Sequence, residues 1–448
     1  MTRARGRRWA ITGVAALLGA MGLSAAYGYL IVPRRLFPYK ILMRRHGTFS
    51  RILTSHVRAH DPSGNLFPSF EDVKARTALR GDTAPSGQGG VGIYDRSRAE
   101  NGLNFFTSAH APAAMLMDMD GTTIRKWSAD AANAFPDAAH DSRLGENAQF
   151  FGDAELLPDG SVLALFNEIG IVRIDRESRV IWTFPARVHH DLFVEPSGGI
   201  WALAHERRVP AGFRKEPALD DVVLSLSPDG KLLRRVSLLD CFWRSSYAPM
   251  LASLPPENED VLQTNSVIVL DGSLAKRSPA FRRGNLFVSS RNLSVVAVVD
   301  PDQERVVWAL SGMWRGQQSA RFPDGHIVLF DDFGSMQRAS RVLEVDPFSQ
   351  QVVWSFGGSA VQPMLGSGGY VARLRGGNTL ITETHTGRVR EVTRDGHVVW
   401  EFVNPNRVGK NNEFVAFIYL MERVPSNLPF LSGMPLSLTP TRHATGSS

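Results

Sequence analysis

The sequence predicts an all-β fold, a six-bladed β-propeller with one N-terminal transmembrane helix ahead of it. Three observations carry that expectation. One is a repeated phrase of apolar run, Pro/Asp/Gly-type turn, more apolar residues and Val-Val-Trp, whose tryptophans Trp308, Trp354 and Trp400 stand about 46 residues apart. That period fits a four-stranded propeller blade. Another is that such a repeat cannot bury its apolar face alone, so neighbours must stack around a ring. The last is an uncharged run from Trp9 to Val32, long enough to cross about 30 Å of hydrocarbon as a helix.

Residues 1–32 read as a short cytoplasmic tip and a membrane segment. The segment is either a retained anchor or a signal cleaved near Ser24-Ala25-Ala26. Both readings export the rest of the chain to the periplasmic or extracellular side. Residues 33–107 read as a connector with one helix around Tyr39 to Val57 and a Gly/Pro-rich loop from Ala84 to Gly90. The propeller is placed at 108–406. It opens with a hairpin, Met115 to Trp127, turning at Asp120-Gly121. Full units come next, with turns at Pro158-Asp159-Gly160, Pro228-Asp229-Gly230, Pro323-Asp324-Gly325 and Gly377-Asn378. Six is the count these units support, with five and seven as the neighbouring counts. Because an open sheet edge invites aggregation, the first hairpin is expected to complete or abut the last blade. The tail, 407–448, is expected to pack its apolar run Phe414 to Met421 on the ring and to end in a polar, disordered stretch.

Bulk numbers exclude several classes. The chain has 448 residues, 43% hydrophobic and 21% charged, which is ordinary globular composition. Its net charge of +6 comes largely from Arg3, Arg5, Arg7, Arg8, Arg34, Arg35, Lys40, Arg44 and Arg45, which flank the membrane run. No basic stripe interleaved with aromatics marks a nucleic-acid surface. Cys241 is the only cysteine, so a disulfide scaffold is excluded.

In a propeller the innermost strand of each blade lines the central channel, so the residues that precede the turns carry the chemistry. Here they include Glu155, His189-His190-Asp191, Gln263-Thr264-Asn265 and Gln317-Gln318-Ser319. Adjacent histidines on a strand point to opposite faces, so His189 and His190 do not share a metal ion, and no metal ligand set is read from the sequence. A histidine nucleophile is the alternative, its second nitrogen fixed by Asp191 or a carbonyl. Transfer of a sulfuryl or phosphoryl group also needs cationic donors, for which Arg291 is the first choice.

At these residues the chain resembles the arylsulfotransferase family, in its membrane-anchored propeller branch. The matching pieces run from Val91-Gly92-Ile93-Tyr94-Asp95 to Val403-Asn404-Pro405. They include His189-His190-Asp191, Gln263-Thr264-Asn265-Ser266, Arg282-Arg283-Gly284-Asn285, Arg291-Asn292, Leu329-Phe330-Asp331-Asp332 and Gly377-Asn378-Thr379-Leu380-Ile381-Thr382-Glu383. The resemblance implies a six-bladed propeller that moves a sulfuryl group from a phenolic sulfate to a phenol, without cofactor, through a funnel histidine. It implies His190 as that histidine, with His189, Asp191, Gln263, Asn265, Arg291, Asn292, Gln318 and Glu383 binding a small phenolic or sulfated ligand. Two positions where the family carries histidine are Gln263 and Gln318 here. Glutamine hydrogen-bonds but neither attacks nor carries a proton at neutral pH. The other reading is therefore a non-catalytic propeller of the cell envelope that binds a ligand or protein.

Overall fold

Each repeat forms a four-stranded antiparallel blade, and the repeated tryptophan is the hook between blades. The computed structural model describes residues 89–431, apart from 139–145, 211, 255–258, 335–338, 360–363, 365–367 and 410. The membrane run, the connector helix and the polar end of the tail lie outside the described residues. Among the described residues no helix is long and apolar enough to cross a membrane.

There are six blades. From the channel outward, blade two runs Asp153–Leu156, Val162–Phe166, Gly170–Ile174 and Val180–Pro185. Blade three runs Val188–Val194, Ile200–Arg208, Ala218–Leu226 and Leu232–Ser237. Blade four is Thr264–Val269, Leu286–Ser290, Val295–Asp300 and Arg305–Ser311, and blade five Gln318–Arg321, Ile327–Asp331, Arg341–Val345 and Val352–Gly357. Blade six has Gly369–Arg373, Thr379–Glu383, Arg388–Val392 and Val398–Val403, with Gly90–Tyr94 added outside as a fifth strand.

The tryptophans sit on outer strands. The indole N–H of Trp127 donates to the Gly160 carbonyl (3.1 Å), that of Trp354 to Arg394 (2.9 Å) and that of Trp400 to Met119 (2.9 Å), each in the turn of the following blade. Trp182 lies instead against Gly230, where an added Cβ would come within 2.7 Å of the indole. Gly230 has a φ of +80°, so both its backbone and its neighbour require glycine.

Ring closure differs from the sequence expectation. The hairpin Ala113–Met117 and Thr123–Ser128 is the outer half of a separate blade one, completed by Leu103–Ser108 and, innermost, by Ile418–Val424. Part of the run expected to pack on the ring, from Ile418 on, is thus the start of a channel strand within it. The ends cannot be paired from their own sequence, because each supplies only part of a blade. Likewise Gly90–Tyr94 and Leu103–Ser108, read as connector, are blade strands. Arg423 fastens the closing strand to blade six. Its guanidinium meets Glu391 at 3.1 Å with both side chains almost fully buried, and it lies over the Trp400 ring. Arg423→Leu strands Glu391 in the interior, and a loss of about 3–5 kcal/mol is expected by chemical denaturation. The double variant Arg423→Leu/Glu391→Leu should recover most of it.

Candidate functional site

The starts of the six innermost strands surround one mouth of the channel, and the backbone there is under strain. His190, Gln263 and Ser319 take φ values of +61°, +49° and +49°, which non-glycine residues rarely adopt and which cluster at ligand sites.

His190 presents its ring to the open mouth. Its Nδ1 lies 2.9 Å from His189 Nδ1. His189 is turned the other way, 2% exposed, with Nε2 at 3.4 Å from Asp221 Oδ1. The ring of His205 stacks on it with centroids 3.8 Å apart. His205 stands between two carboxylates, Nδ1 at 2.5 Å from Glu168 and Nε2 at 3.2 Å from Asp221. Burial would lower its pKa, but Asp221 and Glu168 raise it to about 10. Burial would raise Asp221, yet His189 and His205 hold its carboxyl far below the usual range. For His190, enclosure by the wall and then the nearby His189 and His205 push the pKa to about 3, with the Arg291 charge adding to this.

Opposite this group, Arg291 reaches Gln263 Oε1 (3.3 Å) and Asp332 Oδ2 (3.1 Å). Gln318 donates to the same Asp332 oxygen at 3.3 Å. His385 enters the same space from blade six. A Cβ built on Gly368 would lie 3.7 Å from His385 Cε1 and 3.8 Å from Gln318 Oε1. Burial and then the charge of Arg291 bring the His385 pKa down to about 4. Phe150 and Tyr419 stack at 5.0 Å beside Phe417, on whose ring His385 leans at 4.8 Å.

The structure therefore brings together His190, His189, Gln263, Arg291 and Gln318. Four other sequence candidates brace the scaffold. Asp191 does not orient His190; it forms a two-point ion pair with Arg321 at 2.8 and 3.1 Å. Asn265 donates to the Gln317 carbonyl and Asn292 to that of Asp260, each at 2.8 Å. Glu383, 1% exposed, pairs with Arg390. Sequence reasoning missed His205, Asp221, Glu168 and Asp332. The visible signal was Asp220-Asp221 inside the apolar strand Ala218–Leu226, since acids buried in a sheet need partners.

Residues 153–405 match the family model described as Arylsulfotransferase (ASST). The chain belongs to the arylsulfotransferase family. No curated protein matches it. Among solved structures, this arylsulfotransferase-family chain is similar to a protein of unknown function from Bacteroides caccae (11% identity, 68% of this chain and 94% of that one, TM-score 0.45). It is also similar to virginiamycin B lyase from Staphylococcus aureus (10%, 56% and 69%, TM-score 0.35) and to a streptogramin B lyase (9%, 77% and 97%, TM-score 0.40).

Further along the channel a cavity of about 300 Å³ is lined by Asp153, Glu155, Asp191, Glu422, Arg321 and Tyr370. Burial, then the Glu422 carboxylate, pushes Glu155 well above the usual carboxylate range; burial and Asp191 do the same to Asp153. A raised folded pKa gives stability that is complete below the unfolded value, about 4, and is lost as pH rises through the folded one. Glu155→Gln removes this loss. Its melting temperature relative to the natural protein is expected to rise from about pH 5 to about pH 8, and a flat difference would refute the assignment.

Proposed function

We propose that the protein transfers a sulfuryl group from a phenolic sulfate to a phenol through His190, on the exported side of a membrane that the Trp9 to Val32 run anchors it to. The observation that carries this reading is the disposition of His190: strained, open to the mouth, its Nδ1 tied to His189 and its Nε2 left for the ligand. With His189 giving its Nε2 proton toward Asp221, His189 Nδ1 accepts from His190 Nδ1–H, and His190 Nε2 carries the lone pair. Nε2 attacks sulfur, an N–S bond forms, and the aryl S–O bond breaks to release a phenolate that solvent protonates. An acceptor phenol then gives up its proton to solvent as its oxygen takes the group and the N–S bond breaks. Arg291 is the cation for the sulfuryl oxygens, and the half-buried Tyr419, backed by the buried rings of Phe150 and Phe417, is the aromatic face for an aryl group.

A second reading, a binder without turnover, is favoured by Gln263 and Gln318, which hold hydrogen bonds where a reactive histidine would stand. A chromogenic phenyl sulfate separates the two. Acceptor-dependent phenol release, together with a sulfuryl adduct on His190 by peptide mass spectrometry, is expected, and both should vanish in His190→Ala. Saturable binding with neither product nor adduct would leave the binder.

A further inference from the structure

We propose that His189, His205 and Asp221 form a binding site for a divalent transition metal of the zinc type. The three residues stand on adjacent strands of blade three, with His205 directly opposite Asp221 in the sheet register. Their donor atoms, His189 Nε2, His205 Nε2 and Asp221 Oδ1, are buried, lie within 4.8 Å of one another and face each other, Asp221 Oδ1 standing 3.4 Å from His189 and 3.2 Å from His205. Three buried ligand-type atoms that converge on one point and share a single carboxylate oxygen are the arrangement an ion can bridge. The N···O separations of 3.4 and 3.2 Å match the edges of a tetrahedron with bonds of about 2.0–2.1 Å.

The surroundings fit such a site. Glu168 grips the far nitrogen of His205 and is itself held by Arg187, the carboxylate–histidine support that orients metal ligands. Asp221 is fixed through its other oxygen by the Thr264 N–H at 2.6 Å, leaving Oδ1 to the site. Asp260 stands 4.0 Å from His205 Nε2, within reach of a fourth position. Two imidazoles and a carboxylate suit zinc, nickel or cobalt better than calcium or magnesium. The two rings are stacked at 20°, so binding turns one of them about its Cβ–Cγ bond to bring both lone pairs onto the ion.

Occupation acts on His190, and this consequence rests on the sulfuryl-transfer reading. A metal on His189 Nε2 leaves the proton on Nδ1, which then donates to His190 Nδ1. His190 now shows the mouth an Nε2–H in place of a lone pair, so the loaded protein does not attack sulfur. The site is then a metal-operated off switch.

The test uses the full-length chain in detergent micelles, stripped with a chelator and dialysed against Zn2+, beside His205→Gln and Asp221→Asn. Bound zinc of about one equivalent per chain is expected. Affinity should fall at least about tenfold in either variant. Natural protein that binds no zinc above buffer, or variants that bind it equally, would overturn the site. Should a variant not fold, Co2+ on the natural protein decides: an intense visible absorption supports the site and its absence refutes it. Zinc is also expected to suppress phenol release in proportion to occupancy. Absence of release from the metal-free protein would instead count against sulfuryl transfer, while bound zinc would still stand.

Discussion

Ending the chain at Phe417 is expected to abolish cooperative folding of the propeller. The missing segment is the channel strand of blade one, whose Ile418, Leu420 and Met421 are at most 2% exposed. Each such side chain contributes about 1.5–3 kcal/mol through burial. The truncation also strands Glu391 by removing Arg423, a loss of about 3–5 kcal/mol. It further opens the edge of Leu103–Ser108, a fully buried strand that would face water with unpaired N–H and C=O groups. Domains of this kind are stable by only about 5–15 kcal/mol, so these losses together reach the whole margin. Near-ultraviolet circular dichroism on heating should show no sharp transition, and a peptide spanning 418–431 added in trans should restore one. A truncated chain that melts cooperatively at the natural temperature would mean that the ring does not depend on this closure.

The same strand shows where sequence reading stops. Val306-Val307-Trp308, Val352-Val353-Trp354 and Val398-Val399-Trp400 were legible because the outer strand and its hook recur within one contiguous unit. Blade one is not contiguous, and no local pattern joins Leu103–Ser108 to Ile418–Val424. The site divides in the same way. His190, Gln263, Arg291 and Gln318 could be found from their places before the repeat turns. His205 and Asp221 could not, because their link to His189 is made by sheet register across sixteen or more residues. The alternation expected to send His189 and His190 to opposite faces is broken by a bulge at His190 (φ +61°), which brings their Nδ1 atoms to 2.9 Å, while His205 on the next strand stacks on the His189 ring. Asp191 failed for the opposite reason. It adjoins His190 in sequence, but beyond the bulge at His190 its carboxylate is held in the channel by Arg321.

Gln318→His is expected to raise acceptor-dependent phenol release about a hundredfold, the usual worth of a placed acid–base or nucleophilic group. The carboxylate that would orient the new imidazole is already in position. Asp332, fully buried at its side chain, accepts from Gln318 at 3.3 Å and is held by the Gly368 N–H at 2.8 Å and by Arg291 at 3.1 Å. An imidazole at 318 that gives one N–H to Asp332 turns its other nitrogen, with the lone pair, to the mouth. Arg291, already bound to Asp332, stays beside the sulfuryl oxygens. The neighbouring His385, neutral at pH 7 with its pKa down at about 4, is the other imidazole beside this position and the alternative candidate for the role. His385→Ala decides between them. If His385 carries residual turnover, its removal should cut the natural protein's rate about a hundredfold and leave Gln318→His almost unaffected. Adding Gln263→His to Gln318→His should bring a further gain, since histidine tolerates the left-handed backbone at 263 better than most residues. A folded Gln318→His protein with an unchanged melting temperature and no gain in release would show that the glutamines are not what limits the chemistry, and would move the weight to ligand binding alone.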